Sequence, residues 1–384
     1  MIRNNQPLTH QPRHLRAARW LKRLSLAGLV GLAGCATDSS PAPDEPLFTV
    51  PANFPSPTYR FQNNALTKEG VALGRMLFYD GRLSRDGTIS CAECHNQAYA
   101  FTHHGHDLSH GIDNRLGTRN SLPLQNLAWS QAFMWDGGVF DLDLFPIAPI
   151  ENHVEMDETL PNVLEKLRND PAYTAQFKKA YGTDEVTTAR FLQALSQFML
   201  TLVSGNSRYD RYVRKEAGAT LTADERAGMA LFTSKGCASC HAGALFTDQR
   251  YRNNGLSLAF GEDAGRAHIT EKPEDRYTFK VPSLRNVEHT GPYMHDGRFR
   301  TLEAVLNHYA DGVEDTPNLD PLLKQTSSVT PGQSTPGQSR PGQFRLGQSR
   351  PGIPLTADEQ TKLIAFLKTL TDSDFLTNPN FAPR

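Results

Sequence analysis

The 384-residue chain lacks the features that mark a membrane-spanning, nucleic-acid-binding or disulfide-rich protein. Its net charge of −1 provides neither a basic face for nucleic acid nor a strong field for an acidic partner. The apolar run over residues 24–34 is too short to cross a bilayer as a helix. No strand-rich pattern is present. These absences leave a helical globular protein, and the length allows two domains, each with its own core.

The few cysteines fall into a repeated pattern. Residues 91–95 read CAECH and residues 237–241 read CASCH. C-x-x-C-H is the attachment motif of c-type haem, in which both thiols bond to the porphyrin and the histidine is an axial ligand of the iron. A structural zinc site is the alternative, but it leaves each histidine unexplained, and the pairs lie far outside finger spacing. The sequence therefore predicts two covalent haem c groups, held by Cys91, Cys94, His95, Cys237, Cys240 and His241.

The fifth cysteine, Cys35, ends a basic and then apolar N-terminal segment. Residues 32–35 read LAGC and resemble a bacterial lipobox, so residues 1–35 are predicted to be a lipoprotein-type signal peptide with the lipid on Cys35. An ordinary cleaved signal with a chance cysteine is the alternative. Either way, the mature chain is expected outside the cytoplasm. The residue after the cysteine is Ala36 rather than Asp, which resembles Gram-negative lipoproteins anchored to the outer membrane and facing the periplasm.

A local pattern occurs twice and predicts the domain organisation. Thr67 and Thr222 can each cap a helix that leads, through a glycine turn, to a haem motif. The repeat indicates an all-α fold of two cytochrome-c-like helical domains, each with one covalent haem c. The N-terminal haem domain is expected over 61–210, after a flexible Ser/Pro-rich tether over 36–60, and the C-terminal haem domain over 211–384.

The C-terminal domain contains two further features. Thr356 opens a third capped helix that no cysteine follows, so this helix is predicted to close the domain by packing. Before it, residues 331–352 repeat a Pro/Gly/Gln pentapeptide without apolar periodicity, which predicts a disordered loop. Partner docking through the loop's arginines is the alternative. These arginines are Arg340, Arg345 and Arg350.

Four short blocks surround the two haem motifs. They are residues 117–120 (GTRN), 135–137 (WDG), 154–156 (VEM) and 291–297 (GPYMHDG). In these blocks and their order, the chain resembles the bacterial di-haem cytochrome c peroxidase and MauG superfamily over residues 60–380. The resemblance implies reduction of hydrogen peroxide to water with electrons from a small c-type cytochrome or a cupredoxin. It also allows a homodimer, since family members are often dimers.

The resemblance implies different roles for the two haems. The His95 haem would receive peroxide, and the His241 haem would receive electrons. Glu155 matches the distal residue that moves a proton between the peroxide oxygens; an exposed loop carboxylate is the alternative. Trp135 matches a tryptophan between the haems that relays electrons, although a packed core tryptophan would look the same. Pro149 matches a residue that shapes the distal pocket.

Further matches concern metal ligands. Asn120, Thr290 and Pro292 match ligands of a calcium ion between the domains, the last two through backbone carbonyls. His110 resembles the removable histidine that blocks the peroxide site, at an offset that differs from the peroxidase pattern. A solvated loop is the alternative for His110, and it is favoured for the neighbouring histidines. These are His103, His104 and His106.

Two positions depart from the peroxidase pattern. The family's distal glutamine falls at Phe145, which cannot hydrogen-bond to peroxide or to Glu155, so a drier pocket is expected. The sixth ligand of the second haem, a methionine in the peroxidases, falls at Tyr309, as in MauG-like enzymes. Tyrosinate in this position would lower the haem potential relative to methionine. A packed core tyrosine, with Met294 as the ligand, is the alternative.

Two rival functions therefore stand beside the peroxidase. A MauG-like enzyme would oxidise a residue of a partner protein through a high-valent two-haem state, and Tyr309 favours it. A non-catalytic electron-transfer cytochrome would need both irons to be firmly six-coordinate. The match at Glu155 argues against that second rival.

Overall fold

The structure is a computed structural model that describes residues 46–324 and 351–383. The described chain is mostly helical, as predicted, with a single two-stranded antiparallel pair. The predicted signal peptide, Cys35 with its lipid, and residues 331–350 of the pentapeptide repeat lie outside the described residues. Within the two described ranges, no helix has both the length and the apolar character needed to cross a membrane.

The described chain contains twelve α-helices and a π-helical turn. In the first half they are α1 (Lys68–Phe78), α2 (Cys91–Cys94), α3 (Ile147–Glu151), α4 (Leu160–Arg168), α5 (Pro171–Tyr181), α6 (Thr188–Thr201) and α7 (Arg208–Val213). In the second half they are α8 (Ala223–Ser234), α9 (Ala267–Thr270), α10 (Leu302–Asn307), the π-helical turn His308–Gly312, α11 (Ala357–Lys368) and α12 (Ser373–Thr377). Strands β1 (Tyr251–Arg252) and β2 (Phe279–Lys280) pair antiparallel.

The predicted helix starts are present. The Thr67 hydroxyl accepts a hydrogen bond from the backbone N–H of Gly70 at the start of α1. Thr222 and Thr356 each form a capping box with the glutamate three residues later, at the starts of α8 and α11. These caps satisfy backbone N–H groups that have no partner within the helix.

The two halves contain the same close helix crossing. Gly74 of α1 lies against α6, where an added Cβ would be 1.8 Å from the carbonyl oxygen of Ala194. Gly228 of α8 lies against α11, where an added Cβ would be 1.9 Å from the carbonyl oxygen of Lys362. Each helix before a haem motif therefore crosses a second helix at a distance that only glycine allows, and α11 packs on α8 as predicted.

The two larger clusters of buried apolar residues correspond to the two halves, but the segment after α11 joins the first of them. The first cluster contains Leu73, Leu77 and Phe198, and the second contains Phe232, Leu363 and Phe366. Phe375 and Phe381 near the C-terminus are buried in the first cluster, so the C-terminal domain predicted over 211–384 contributes to the other core.

The predicted tether differs from the structure in its second part. Phe54 is buried in the first cluster, and the ring of Phe48 lies 5.5 Å from that of Trp129. The Asn53 amide also donates a hydrogen bond to Asp210. Residues 46–60 are therefore packed on the helical body because their aromatic residues bury apolar surface, and the tether prediction now concerns only residues 36–45, outside the described ranges.

Candidate functional site

The first haem motif opens into a cavity of about 510 Å³. The cavity is lined by Cys91, Cys94 and His95, which follow α1 through the turn at residues 79–90. The Nδ1 atom of His95 lies 2.8 Å from the carbonyl oxygen of Phe101. This contact fixes the ring and leaves Nε2 as the nitrogen available to a metal.

The second haem motif lines a separate cavity of about 400 Å³. Cys237, Cys240 and His241 contribute to its wall. The Nδ1 atom of His241 lies 3.2 Å from the carbonyl oxygen of Phe246 and 3.1 Å from that of Pro282. The imidazole of His241 is therefore held through Nδ1 like that of His95, and its Nε2 is the nitrogen available to a metal.

Both cavities fit a covalent haem. Each contains two thiols for thioether bonds and one oriented imidazole for the iron. Burial raises the pKa of Cys91 to about 12 and that of Cys237 to about 11, which reflects the apolar surroundings that a porphyrin needs. Burial also lowers the pKa of His95 to about 4, so this ring is neutral and can act as a ligand. A zinc site made from both Cys pairs is not supported, because the two motifs line different cavities.

Glu155 lies in the wall of the first cavity, where burial raises the pKa of its carboxyl group above the usual range. The Asn152 side chain donates a hydrogen bond to its Oε1 atom at 3.1 Å and opposes that shift. The charge of Glu155 also contributes to the raised pKa of Cys94. The structure therefore brings this carboxylate to the haem motif, and Asn152, which the sequence did not single out, orients it.

The segment after the histidine-rich run holds the Glu155 backbone. The N–H of Ile112 donates to the carbonyl oxygen of Glu155 at 2.8 Å, and a Cβ on Gly111 would lie 2.4 Å from the Glu155 Cα. Glycine is therefore required next to Glu155. The His110 ring stacks on His106 at 5.3 Å, and among the described residues that line the first cavity it is absent. Its neighbours Ser109 and Gly111 do line the cavity, and the removable-ligand role of His110 stays a prediction.

Phe133, Phe145 and Pro149 line the first cavity together with Glu155. The rings of Phe133 and Phe145 lie 5.3 Å apart. An aromatic surface therefore occupies the place where the family pattern has a glutamine, in line with the drier pocket expected from the sequence.

Trp135 contributes to both cavities. Its Nε1 donates a hydrogen bond of 2.7 Å to the carbonyl oxygen of Asn120, and the side chain is buried. It belongs to a shared wall that faces both cavities. The shared wall consists of Asn120, Ser121, Leu122, Pro123, Trp135, Lys280, Val281, Pro282 and Ser283.

The two rival ligands of the second haem lie together. Tyr309 and Met294 both line the second cavity, and the Asn254 amide lies 3.5 Å from the Tyr309 hydroxyl and 3.5 Å from the Met294 sulfur. Burial raises the pKa of Tyr309 to about 12. Both side chains therefore have access to the same cavity as His241, and Asn254, which the sequence did not indicate, contacts both.

The residues predicted to bind calcium also share the second cavity. Asn120, Thr290 and Pro292 contribute to its lining, and the Asn120 amide donates to the carbonyl oxygen of Asp107 at 3.1 Å. Within the described ranges, no group of three or more His, Cys, Asp or Glu side chains is arranged to hold a metal ion. Calcium binding stays a prediction.

Comparison with known proteins agrees with this arrangement. A family model described as di-haem cytochrome c peroxidase matches residues 68–220. The methylamine utilization protein MauG of Methylorubrum extorquens is 40% identical over 299 residues, which cover 75% of this chain and 82% of that protein. The chain belongs to the di-haem cytochrome c peroxidase and MauG family. The resemblance inferred from the sequence is thus confirmed, and the family implies haem c cofactors.

Other relatives include both a peroxidase and a MauG-like protein. Cytochrome c551 peroxidase of Nitrosomonas europaea is 36% identical, covering 74% of this chain and 81% of that protein. A solved structure of a MauG-like protein associated with microbial copper homeostasis superposes with a TM-score of 0.72 at 30% identity, covering 87% of this chain and 98% of that one. Family membership therefore supports an oxidoreductase that acts on peroxide, and it includes both peroxidases and MauG proteins.

Proposed function

We propose that this protein reduces hydrogen peroxide to water at the His95 cavity. The observation that carries the proposal is the pairing of an oriented His95 with a buried carboxylate, Glu155, in one cavity. When bound, a haem held there by one histidine supplies an open iron position for peroxide and a route for electrons. The overall reaction consumes two electrons and two protons for each peroxide and yields two waters.

Glu155 acts as the acid–base group in this proposal. As a carboxylate it takes a proton from one oxygen of hydrogen peroxide, and it returns the proton to the other oxygen, which leaves as water. Its raised pKa favours the first step, because a more basic carboxylate accepts the proton more readily. Asn152 keeps Oε1 in place during the exchange. The aromatic surface of Phe133 and Phe145 limits water around the carboxylate.

Electrons would reach this cavity across the shared wall. The donor, a small c-type cytochrome or a cupredoxin, would deliver them to the haem at His241. Trp135 then lies on the route, because it lines both cavities. The Asn120 carbonyl holds the indole nitrogen and fixes the ring. Such a protein would work in the periplasm, with the predicted lipid on Cys35 as its attachment to the outer membrane.

A MauG-like reaction is the second candidate. Here the two electrons come from a residue of a partner protein rather than from a cytochrome. The presence of Tyr309 in the second cavity favours it, since the family's peroxidases have methionine at that position, and the 40% identity to a MauG protein supports it.

Turnover with a donor protein separates the two candidates. We expect the holoprotein to consume peroxide in the presence of a reduced small c-type cytochrome, as followed by oxidation of the cytochrome. Slow cytochrome oxidation, together with a long-lived oxidised form after one equivalent of peroxide, would favour the MauG-like reaction. Tyr309→Met is the informative variant, because it should raise cytochrome oxidation if Tyr309 sets the choice. Absence of peroxide consumption under all these conditions would contradict both candidates.

A further inference from the structure

Neither of the two proposed reactions assigns a role to Lys280, which lies where the two cavities meet. It ends β2, it lines both cavities, and its backbone N–H donates to the carbonyl oxygen of Trp135 at 2.8 Å. The Lys280 backbone is therefore held beside the tryptophan in the shared wall.

The Lys280 ammonium has no partner among the described residues, since it forms neither an ion pair nor a hydrogen bond there. Burial is the one cause that lowers its pKa, to about 8, so the side chain still carries its charge at pH 7. An unpaired cation in an apolar wall is costly, and such groups are normally compensated by an opposite charge.

The other cationic side chains of the two cavities are already compensated. Three lysine or arginine residues besides Lys280 line them, and each pairs with carboxylates: Arg119 with Asp136 and Asp263, Lys235 with Glu359, and Arg252 with Asp248 and Asp320. Over the described ranges, Lys280 is thus the one lysine or arginine lining either cavity that has no carboxylate partner and can pair with a ligand.

We propose that Lys280 is the counter-ion for a propionate carboxylate of a haem at the point where the two cavities meet. The inference rests on the proposed function, because it needs a haem in each cavity. Haem propionates are anions that enter with the cofactor, and a charge-assisted hydrogen bond from the ammonium would satisfy both groups. The positive charge would also favour the reduced, less positive state of the nearby iron.

Redox titration of the holoprotein tests the proposal. Lys280→Met removes the charge and keeps an unbranched side chain of similar length, whereas Lys280→Arg keeps the charge. Lys235→Met is the matched control, since Lys235 lines the second cavity but already pairs with Glu359 at 2.7 Å. We expect Lys280→Met to shift the ferric–ferrous equilibrium of one haem about tenfold toward ferric, a fall of about 59 mV for a one-electron couple. Lys280→Arg and Lys235→Met should leave it near the wild-type value.

Spectroelectrochemistry resolves which haem responds, and a pyridine haemochrome assay gives the haem content of each variant. A shift at the His95 haem or at the His241 haem identifies the propionate that Lys280 contacts. Loss of one haem in Lys280→Met, but not in Lys280→Arg, would also support the pair. Unchanged potentials in a fully loaded Lys280→Met protein, or haem loss shared by Lys280→Arg, would overturn it. Wild-type protein without haem would instead contradict the proposed function.

Discussion

The two cavities contain the same haem-motif residues and differ in the other polar side chains that line them. Each has two thiols and an imidazole whose Nδ1 is held by a backbone carbonyl. In the first cavity the additional polar group is a carboxylate oriented by Asn152. In the second, the additional groups are a phenol and a thioether that share the amide of Asn254. Under the proposed function, this difference would give the first cavity the proton transfer and the second cavity a further ligand for its iron.

The similarity between the two halves of the chain extends to residues in the walls of the cavities. Residues 133–139 and 293–299 form equivalent turns, each closed by a bridge between its ends. The second residue of each turn is a methionine with positive φ, and the residue after it is Trp135 in one turn and His295 in the other. Their rings lie 6.4 Å apart, edge to face. The same position of the two turns is thus a tryptophan in the shared wall and a buried histidine in the other half.

Removing one haem at a time should have the largest effect. The double variant Cys91→Ala/Cys94→Ala should lose half of the haem content together with cyanide binding and peroxide turnover, because the open iron position is lost. Its counterpart Cys237→Ala/Cys240→Ala should lose the same amount of haem but keep cyanide binding. A haemochrome assay and cyanide difference spectra measure both quantities. Cyanide binding that follows the second motif instead would reverse the assignment of the two cavities.

Glu155→Gln should lower peroxide turnover by about 10²–10⁴-fold while both haems stay in place, since acid–base groups contribute about that much. Glu93→Gln is the control, because Glu93 is an exposed carboxylate within the first haem motif. The pH profile gives a second readout. The carboxylate must be deprotonated to accept a proton, so activity should fall as the pH drops through the raised pKa of Glu155.

The fall in activity at low pH, the acidic limb of the profile, should be absent from Glu155→Gln. In Asn152→Ala the acidic limb should move to higher pH, because the Asn152 hydrogen bond lowers the pKa of Glu155. Steady-state rates across the acidic range measure the limb. An identical profile in wild type and Glu155→Gln would exclude Glu155 as the titrating group.

Gly74→Ala and Gly228→Ala test the equivalence of the two helix crossings, with the smallest expected effect. Each introduces a methyl group into a space less than 2 Å from a backbone carbonyl oxygen. Overpacking of this kind costs about 1–3 kcal/mol of unfolding free energy. Thr233→Ala, at an exposed position of α8, should stay within about 0.5 kcal/mol. Denaturant unfolding of each variant gives the values, and a large difference between the two glycine variants would show that the crossings are not equivalent.

The sequence predicted the parts of the site that depend on local spacing. The haem motifs, the caps at Thr67, Thr222 and Thr356, and the helical class needed only short-range patterns. It could not predict Asn254, whose contacts to Met294 and Tyr309 join three separate segments. A lone asparagine has no periodicity that would single it out.

Two other differences have separate physical origins. Residues 46–60 looked like a tether because they are rich in proline, but Phe48 and Phe54 find apolar partners far away in the chain. The His110 ring stacks on that of His106, four residues earlier, a local contact that the ligand prediction did not include. Long-range packing decides the placement of residues 46–60, and local composition does not encode it.

The shared wall has a consequence for how this protein can be made. The first cavity takes part of its lining from Lys280, Val281, Pro282 and Ser283, and the first core includes Phe375 and Phe381. A polypeptide truncated at residue 210 would thus lack part of the wall of the first cavity and two aromatic residues of the first core. Cutting the chain between the two haem motifs would therefore not give a complete first cavity, and a haem inserted at Cys91 would reach its final environment only after Phe381 has been synthesised.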